Sequence, residues 1–144
     1  MDFTDLVRAG QLKEEATSPE KISEYLRFAD DEIRAAQQLL PDFPAVAYKA
    51  AYDALIHAGN ALIRSYGYRP TQKFTHVTIA RFTEEALRKD SQALTNRFER
   101  MRRKRHPLLY EAVFLESTSE VKRAVKDAEQ LLKLVKEHIA ENNP

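Results

Sequence analysis

Residues 44–67, PAVAYKAAYDALIHAGNALIRSYG, decide the fold class. Apolar and aromatic side chains recur in this stretch at spacings of three and four residues, which is the pattern of one helix face. They are Val46, Tyr48, Tyr52, Leu55, Ile56, Gly59, Leu62 and Ile63. The segment from Pro41 to Pro44 forces a turn before the stretch, and Gly67 suits the position just after a helix. The pattern therefore predicts one long amphipathic helix.

Helical patterns also occur on both sides of this stretch. Ser18 and Pro19 suit the N-cap and first turn of a preceding helix, whose apolar stripe continues to Leu40. Ser117 and Glu120 have the spacing of a capping box that opens a last helix. Further helices are predicted over 77–87, from about 91 into a basic segment, and over about 121–139. Residues 68–75 are predicted to form a loop.

The chain length and composition favour one all-α domain. With 144 residues, rich in good helix formers and with only three glycines, the chain suits a single domain with its own core. Long helices joined by short links pack as antiparallel neighbours, so we expect an antiparallel helical bundle over residues 1–144. We expect a short extra helix within residues 1–17 and a frayed tail at 141–144.

Several function classes are disfavoured by what the sequence lacks. It has no cysteine, which excludes disulfides, thiol nucleophiles and cysteine-based zinc sites and favours a reducing cytoplasm. No apolar run is long enough for a membrane span, and residues 1–10 lack the apolar core of a signal peptide. No metal-binding motif or glycine-rich phosphate loop occurs. We therefore expect no membrane association, no metal and no cofactor.

A short basic segment stands out in a chain with a net charge of only +1. Its members are Arg97, Arg100, Arg102, Arg103, Lys104 and Arg105. A run of charge is most often a solvated helix face, and that interpretation is as good as a functional one here. Helical spacing places Arg97, Arg100 and Lys104 on one solvated face and lets Arg103 pair with Glu99.

A second group in the segment converges. Arg105 and His106 follow Arg102 by three and four residues, so both lie near the same helix face as Arg102. Arg105 also extends an apolar stripe, and a buried arginine needs a carboxylate, a cleft or a partner subunit. Asp53 and Glu111 are candidate carboxylates. Pro107 is expected to end or kink the helix, which would leave His106 at a helix C-terminus and bring Tyr110 back to the same place.

These side chains suit a phosphodiester. Arginine binds phosphate through two hydrogen bonds and stabilises charge that develops on it. Histidine transfers protons near neutral pH. RNA supplies its own nucleophile, the 2′-hydroxyl, so such a site needs no metal ion.

The segment Arg102 to Tyr110, RRKRHPLLY, resembles the signature of HEPN domains. Those domains carry an arginine, a polar residue and a histidine four to six positions beyond the arginine. A subset has the pattern Arg-x-x-Arg-Asn-x-x-x-Tyr, which here gives Arg102, Arg105, His106 in place of asparagine, and Tyr110. Residues 47–62 look like the second long helix of such domains. The segment 67–70 and His76 look like the loop and histidine that follow that helix.

The resemblance implies a bundle of four or five helices, commonly a homodimer with the motif at its interface. Many members are metal-independent ribonucleases of the toxin or defence type. Others are catalytically silent modules that bind RNA, nucleotide or a partner, such as a nucleotidyltransferase or an antitoxin. The implied catalytic residues are Arg102, Arg105, His106 and Tyr110. The implied substrate-binding residues are Arg100, Arg103, Lys104, His76 and Asp53, although His76 is equally suited to cap its helix.

Two alignments of the motif are open. If Arg105 is the motif arginine, Tyr110 takes the histidine position, and tyrosine is a poor base at neutral pH because its pKa is near 10. If His106 is the motif histidine, Arg100 has a suitable spacing but lies on a separate helix face. We prefer the first alignment, which leaves a ribonuclease and a silent binding module as the two expected functions.

Overall fold

Six α-helices and two short strands make up the part of the chain that the computed structural model describes, residues 3–112, 114 and 116–142. In chain order they are α1 Thr4–Arg8, β1 Leu12–Glu14, α2 Pro19–Leu39, α3 Pro44–Ser65, β2 Tyr68–Pro70, α4 Thr75–Leu87, α5 Gln92–Tyr110 and α6 Thr118–Asn142. A single 3₁₀ turn, Arg88–Ser91, joins α4 to α5. The prediction of an all-α helical bundle is confirmed.

The helix predicted first, α3, is the centre of the bundle and packs against α2, α4, α5 and α6. Its buried face includes many small side chains, which let neighbouring helices approach closely. The closest approach is to α4, where a Cβ atom on Gly59 would overlap Ile79 Cγ2 and lie 2.8 Å from Thr83 Oγ1. Glycine at this position therefore lets α4 pack closely against α3.

The caps predicted for α2 and α6 are present. The Ser18 hydroxyl accepts a hydrogen bond from the Lys21 backbone N–H at 3.1 Å. The Ser117 hydroxyl accepts one from the Glu120 backbone N–H at 3.2 Å, and the Glu120 carboxylate lies 3.4 Å from the same hydroxyl. Each cap satisfies a backbone donor that the first turn of a helix leaves unpaired.

Two segments expected to be irregular contain regular secondary structure. The prediction of a loop is wrong for residues 68–70, because β2 pairs with β1 in an antiparallel ladder. The two strands are only three residues each and carry no alternating pattern, so the sequence gives no signal for them. In the tail expected to fray, Glu141 and Asn142 continue α6, and residues 143–144 lie outside the described part.

Pro107 does not end α5. The helix continues to Tyr110, and the Glu111 N–H donates to the Pro107 carbonyl oxygen at 3.0 Å. Proline removes one backbone hydrogen bond and costs a helix interior about 3 kcal/mol. Leu108 packs against the core directly after the proline, and this burial offsets part of the cost. The expectation that His106 sits at a helix C-terminus is therefore wrong.

No helix within the described residues is long and apolar enough to cross a membrane.

Candidate functional site

Helix α5 places its basic side chains on two sides, and the side towards α6 is occupied by ion pairs. Arg97 Nε donates to Asp127 Oδ2 at 2.8 Å, and Lys104 Nζ lies 2.6 Å from Glu116 Oε1. The prediction that these two cations lie on a solvated face is wrong, because α6 and the residue before its cap bring carboxylates opposite α5. Arg100 is exposed as predicted, and its Nη2 lies 4.0 Å from Glu120 Oε2.

Glu99 holds the next pair of arginines. Arg102 donates to it twice, from Nε at 2.9 Å and from Nη2 at 2.6 Å. Arg103 donates to the same carboxylate from Nε at 3.4 Å, so the predicted pair between Glu99 and Arg103 is confirmed. The two Arg102 bonds lower the pKa of the Glu99 carboxyl below its ordinary value. Glu99 is therefore charged near neutral pH and is shared by two arginines.

Arg105 differs from its neighbours. Among the described residues, none forms an ion pair or hydrogen bond with its guanidinium, although the side chain is partly buried. Neither expected partner carboxylate, Asp53 or Glu111, reaches it. Arg105 lines a narrow cleft of about 20 Å³ between α3 and α5, together with Tyr48, Lys49, Tyr52, Asp53, Met101 and Leu108. The cleft has room for about one water molecule, so a larger ligand would have to bind at its mouth.

His76 reaches this region from α4. Its Nδ1 lies 2.7 Å from the Tyr52 hydroxyl of α3, and the two rings are 5.6 Å apart. Burial lowers the pKa of His76, and the charges of Arg105 and Arg102 lower it further. The imidazole is therefore neutral near pH 7. When Nδ1–H donates to the Tyr52 oxygen, Nε2 carries the lone pair and can accept a proton.

Tyr52 connects the histidine to the core. Its ring is buried and packs edge-on against Phe98 of α5, with 6.2 Å between the ring centroids. Burial raises the pKa of the Tyr52 hydroxyl, so the hydroxyl stays protonated and fixes the orientation of the His76 ring. The sequence interpretation assigned Tyr52 to the core and missed this contact. The available signal was chemical, because a buried tyrosine hydroxyl needs a hydrogen-bond partner.

His106 and Tyr110 lie apart from this group. Both are exposed, Tyr110 to 67%, and their rings pack against each other at 4.9 Å. The expected convergence of Arg102, Arg105 and His106 is therefore replaced by another arrangement. The two arginines lie near His76 and Tyr52, and His106 pairs with Tyr110 towards the end of α5.

Asp53 is close to charged groups of both signs. The positive charges of His57 and Arg105 favour its ionised form, and the negative charge of Glu32 opposes it. His57 Nδ1 is 2.6 Å from Glu32 Oε1, and this hydrogen bond raises the pKa of His57. Partial desolvation and the Glu32 charge raise the pKa of the Asp53 carboxyl. Asp53 therefore affects the field at Arg105 without pairing with it.

Metal-ligand clusters are not found in the part of the chain described here. Within residues 3–112, 114 and 116–142, no group of three or more histidine or acidic side chains lies close enough together to hold a metal ion.

Comparison with known proteins agrees with the bundle. The family model described as "HEPN domain" matches residues 22–138, from the first turns of α2 to near the end of α6. The matched range includes Tyr52, His76 and the whole basic segment. No curated protein matches the chain.

Proposed function

Because the chain belongs to the HEPN domain family, we propose that it binds RNA at Arg105 and cleaves the phosphodiester there without a metal ion. One observation carries the proposal: a partly buried arginine without an ion-pair partner among the described residues is close enough to His76 to lower its pKa, which keeps the imidazole neutral. A buried charge without a partner is costly, so its retention favours an external anion as the missing partner.

Arg105 suits a phosphate better than a carboxylate of this chain. Its guanidinium can donate two parallel hydrogen bonds to phosphate oxygens and stabilise the charge that builds up on them during reaction. Asp53 is close enough to attract Arg105 but does not pair with it. The guanidinium is thus oriented by the fold while its hydrogen-bond donors stay available.

The proposed reaction is an internal transesterification. The ribose 2′-oxygen forms a bond to phosphorus, and the bond from phosphorus to the 5′-oxygen breaks. His76 Nε2 takes the proton of the 2′-hydroxyl, and the leaving 5′-oxygen takes a proton from water. The products are a 2′,3′-cyclic phosphate and a 5′-hydroxyl, so no oxidant, metal or added nucleophile is needed.

The other predicted site residues have supporting roles in this proposal. Arg102 is a further phosphate ligand. Tyr110 and His106 form an exposed aromatic pair beside the bound RNA strand. Arg100, Arg103 and Lys104 add positive potential along α5, and Asp53 tunes Arg105. In this proposal the protein binds its RNA in the cytoplasm.

The first test is cleavage of labelled single-stranded RNA and tRNA in EDTA by the parent protein, Arg105→Ala and Arg34→Ala. Arg34 is the control, because it is an exposed helical arginine outside the basic segment and pairs with Asp31. We expect cyclic phosphate ends from the parent and Arg34→Ala, and a rate at least about 100-fold lower with Arg105→Ala. Equal rates from all three proteins would contradict the proposal.

A second candidate function is phosphate binding without cleavage. It is favoured by Tyr110, which takes the histidine position of the preferred motif alignment and is exposed. Such a module would act as a homodimer or beside a partner, such as a nucleotidyltransferase or antitoxin. Binding of RNA that depends on Arg105, with no cleavage over the whole substrate panel, would select this function.

A further inference from the structure

The bidentate contact between Arg102 and Glu99 uses the donors that a phosphate would use. Nε and Nη2 of Arg102 both point to the carboxylate, at 2.9 and 2.6 Å. Two parallel N–H bonds of this kind recognise a carboxylate and a phosphate in the same way. Arg102 is therefore occupied in the free protein, whereas Arg105, one helical turn further along α5, is not.

We propose that Arg102 is a second phosphate subsite, which Glu99 fills in the free protein and vacates when RNA binds. The inference rests on the proposed function and deepens it, because it makes the ligand a single strand that presents two neighbouring phosphates. Residues three apart on a helix have Cβ atoms about 5–6 Å apart, so Arg102 and Arg105 face the same strand. The first phosphate binds at Arg105, and the next one displaces Glu99.

The surroundings of Glu99 make this exchange feasible. The side chains of Glu99 and Arg102 are 31% and 25% exposed, so solvent reaches the pair and weakens it. Glu99 also has a second arginine to receive it, because Arg103 already donates to Glu99 Oε1 and is 74% exposed. The carboxylate can therefore leave Arg102 without losing every cationic partner.

The Glu99 carboxylate occupies the donors that the second phosphate would use, and its negative charge also repels that phosphate. A carboxylate between two arginines cancels part of the positive potential that would attract RNA. Removing that charge while keeping the shape, as in Glu99→Gln, should free the Arg102 fork for phosphate. The change leaves Arg105, His76 and Tyr52 untouched.

The test is binding of a fluorescently labelled single-stranded oligoribonucleotide, followed by anisotropy over a salt series. We expect Glu99→Gln to bind more tightly and its slope of log affinity against log salt to steepen by about 0.7, the value for one added phosphate contact on a single strand. The gain should disappear in the double variant Glu99→Gln with Arg102→Ala.

The matched control is Glu85→Gln. Glu85 pairs with Arg88 at 3.2 Å with the same three-residue spacing on a helix, and its loss changes the net charge by the same amount. We expect it to bind like the parent. Parental affinity and slope for Glu99→Gln, an equal gain for Glu85→Gln, or a gain that persists without Arg102 would each overturn the inference.

The same titrations separate this inference from the proposed function. If Arg105→Ala loses RNA binding and Glu99→Gln binds RNA with the affinity and salt slope of the parent, the proposed site at Arg105 is supported and the second subsite is refuted. If the parent binds no RNA, or binds it equally with and without Arg105, the proposed function itself is refuted.

Discussion

His57 and His76 belong to neighbouring helices, and the fold shifts the pKa values of their imidazoles in opposite directions. The hydrogen bond to Glu32 raises the pKa of His57, whereas burial and two arginines lower that of His76. The first histidine therefore holds a proton more tightly in the folded state than in the unfolded one. The second releases its proton more easily when folded.

The shift at His57 predicts a pH-dependent stability. Its contribution is complete below the unfolded pKa of about 6.5 and is lost as pH rises through the higher folded pKa. Because the side chain is 32% exposed, we expect His57→Gln to cost about 1 kcal/mol or less below pH 6. The cost should shrink at higher pH. Urea unfolding of both proteins from pH 5.5 to 9 measures it.

Glu32→Gln is the companion variant, because it removes the carboxylate that raises the His57 pKa. It should flatten the same part of the stability curve. A free-energy difference between parent and His57→Gln that stays constant over the whole pH range would contradict this origin. The lowered pKa of His76 acts with the other sign, since it removes stability as pH falls below about 6.5.

At the residue scale, the sequence indicated that Arg105 is unusual and offered His76 as a candidate, but not the contact between His76 and Tyr52. Arg105 stood out because it extends the apolar stripe of Leu94, Phe98 and Met101, and the structure leaves it without a partner among the described residues. His76 and Tyr52 are 24 residues apart. Their contact depends on how α4 packs on α3, which helical spacing within one segment cannot express.

At the scale of elements, α3 and α4 set the position of His76 through Gly59. An added Cβ would overlap Ile79 and Thr83 of α4, so the two helices would have to move apart. Alanine is otherwise better than glycine in a helix by about 1 kcal/mol. The net change in the free energy of unfolding is the cost of the overlap with α4 minus the gain in helix propensity.

We expect Gly59→Ala to lower the free energy of unfolding by about 1–3 kcal/mol, because overpacking exceeds the gain in helix propensity. Urea unfolding at pH 7 measures the change. Ser23→Ala, at an exposed position of α2, is the control and should change stability by about 0.5 kcal/mol or less. A Gly59→Ala protein as stable as the parent would show that α3 and α4 are not tightly packed here.

Helix α5 illustrates where local rules gave a wrong prediction. Pro107 indicated a helix end, yet the burial of Leu108 supports one more turn. Likewise, the spacing of Arg97 and Lys104 gave them a common outer face, and α6 then supplied Asp127 and Glu116 opposite them. Both errors arise from tertiary packing, which overrides propensity and periodicity within a single helix.

At the scale of the whole molecule, the bundle could be predicted because its long helices carry strong periodicity and clear caps. The β1–β2 pair could not, since three residues per strand give no pattern. The family was recognisable from residues 102–110 and from the α3 sequence, and the family model covers residues 22–138. The proposed site combines residues of three helices, α3, α4 and α5, and its geometry therefore required the structure.

The most direct test of the account is the single-turnover cleavage rate of RNA in EDTA by His76→Gln and His138→Gln. The two histidines are matched, because Tyr66 bonds to His138 Nε2 at 2.7 Å just as Tyr52 bonds to His76 Nδ1 at 2.7 Å. His76→Gln should cleave at least about 100-fold more slowly than the parent, and His138→Gln should cleave at the parental rate. Equal rates for His76→Gln and the parent would contradict the claim that His76 and Arg105 form the site.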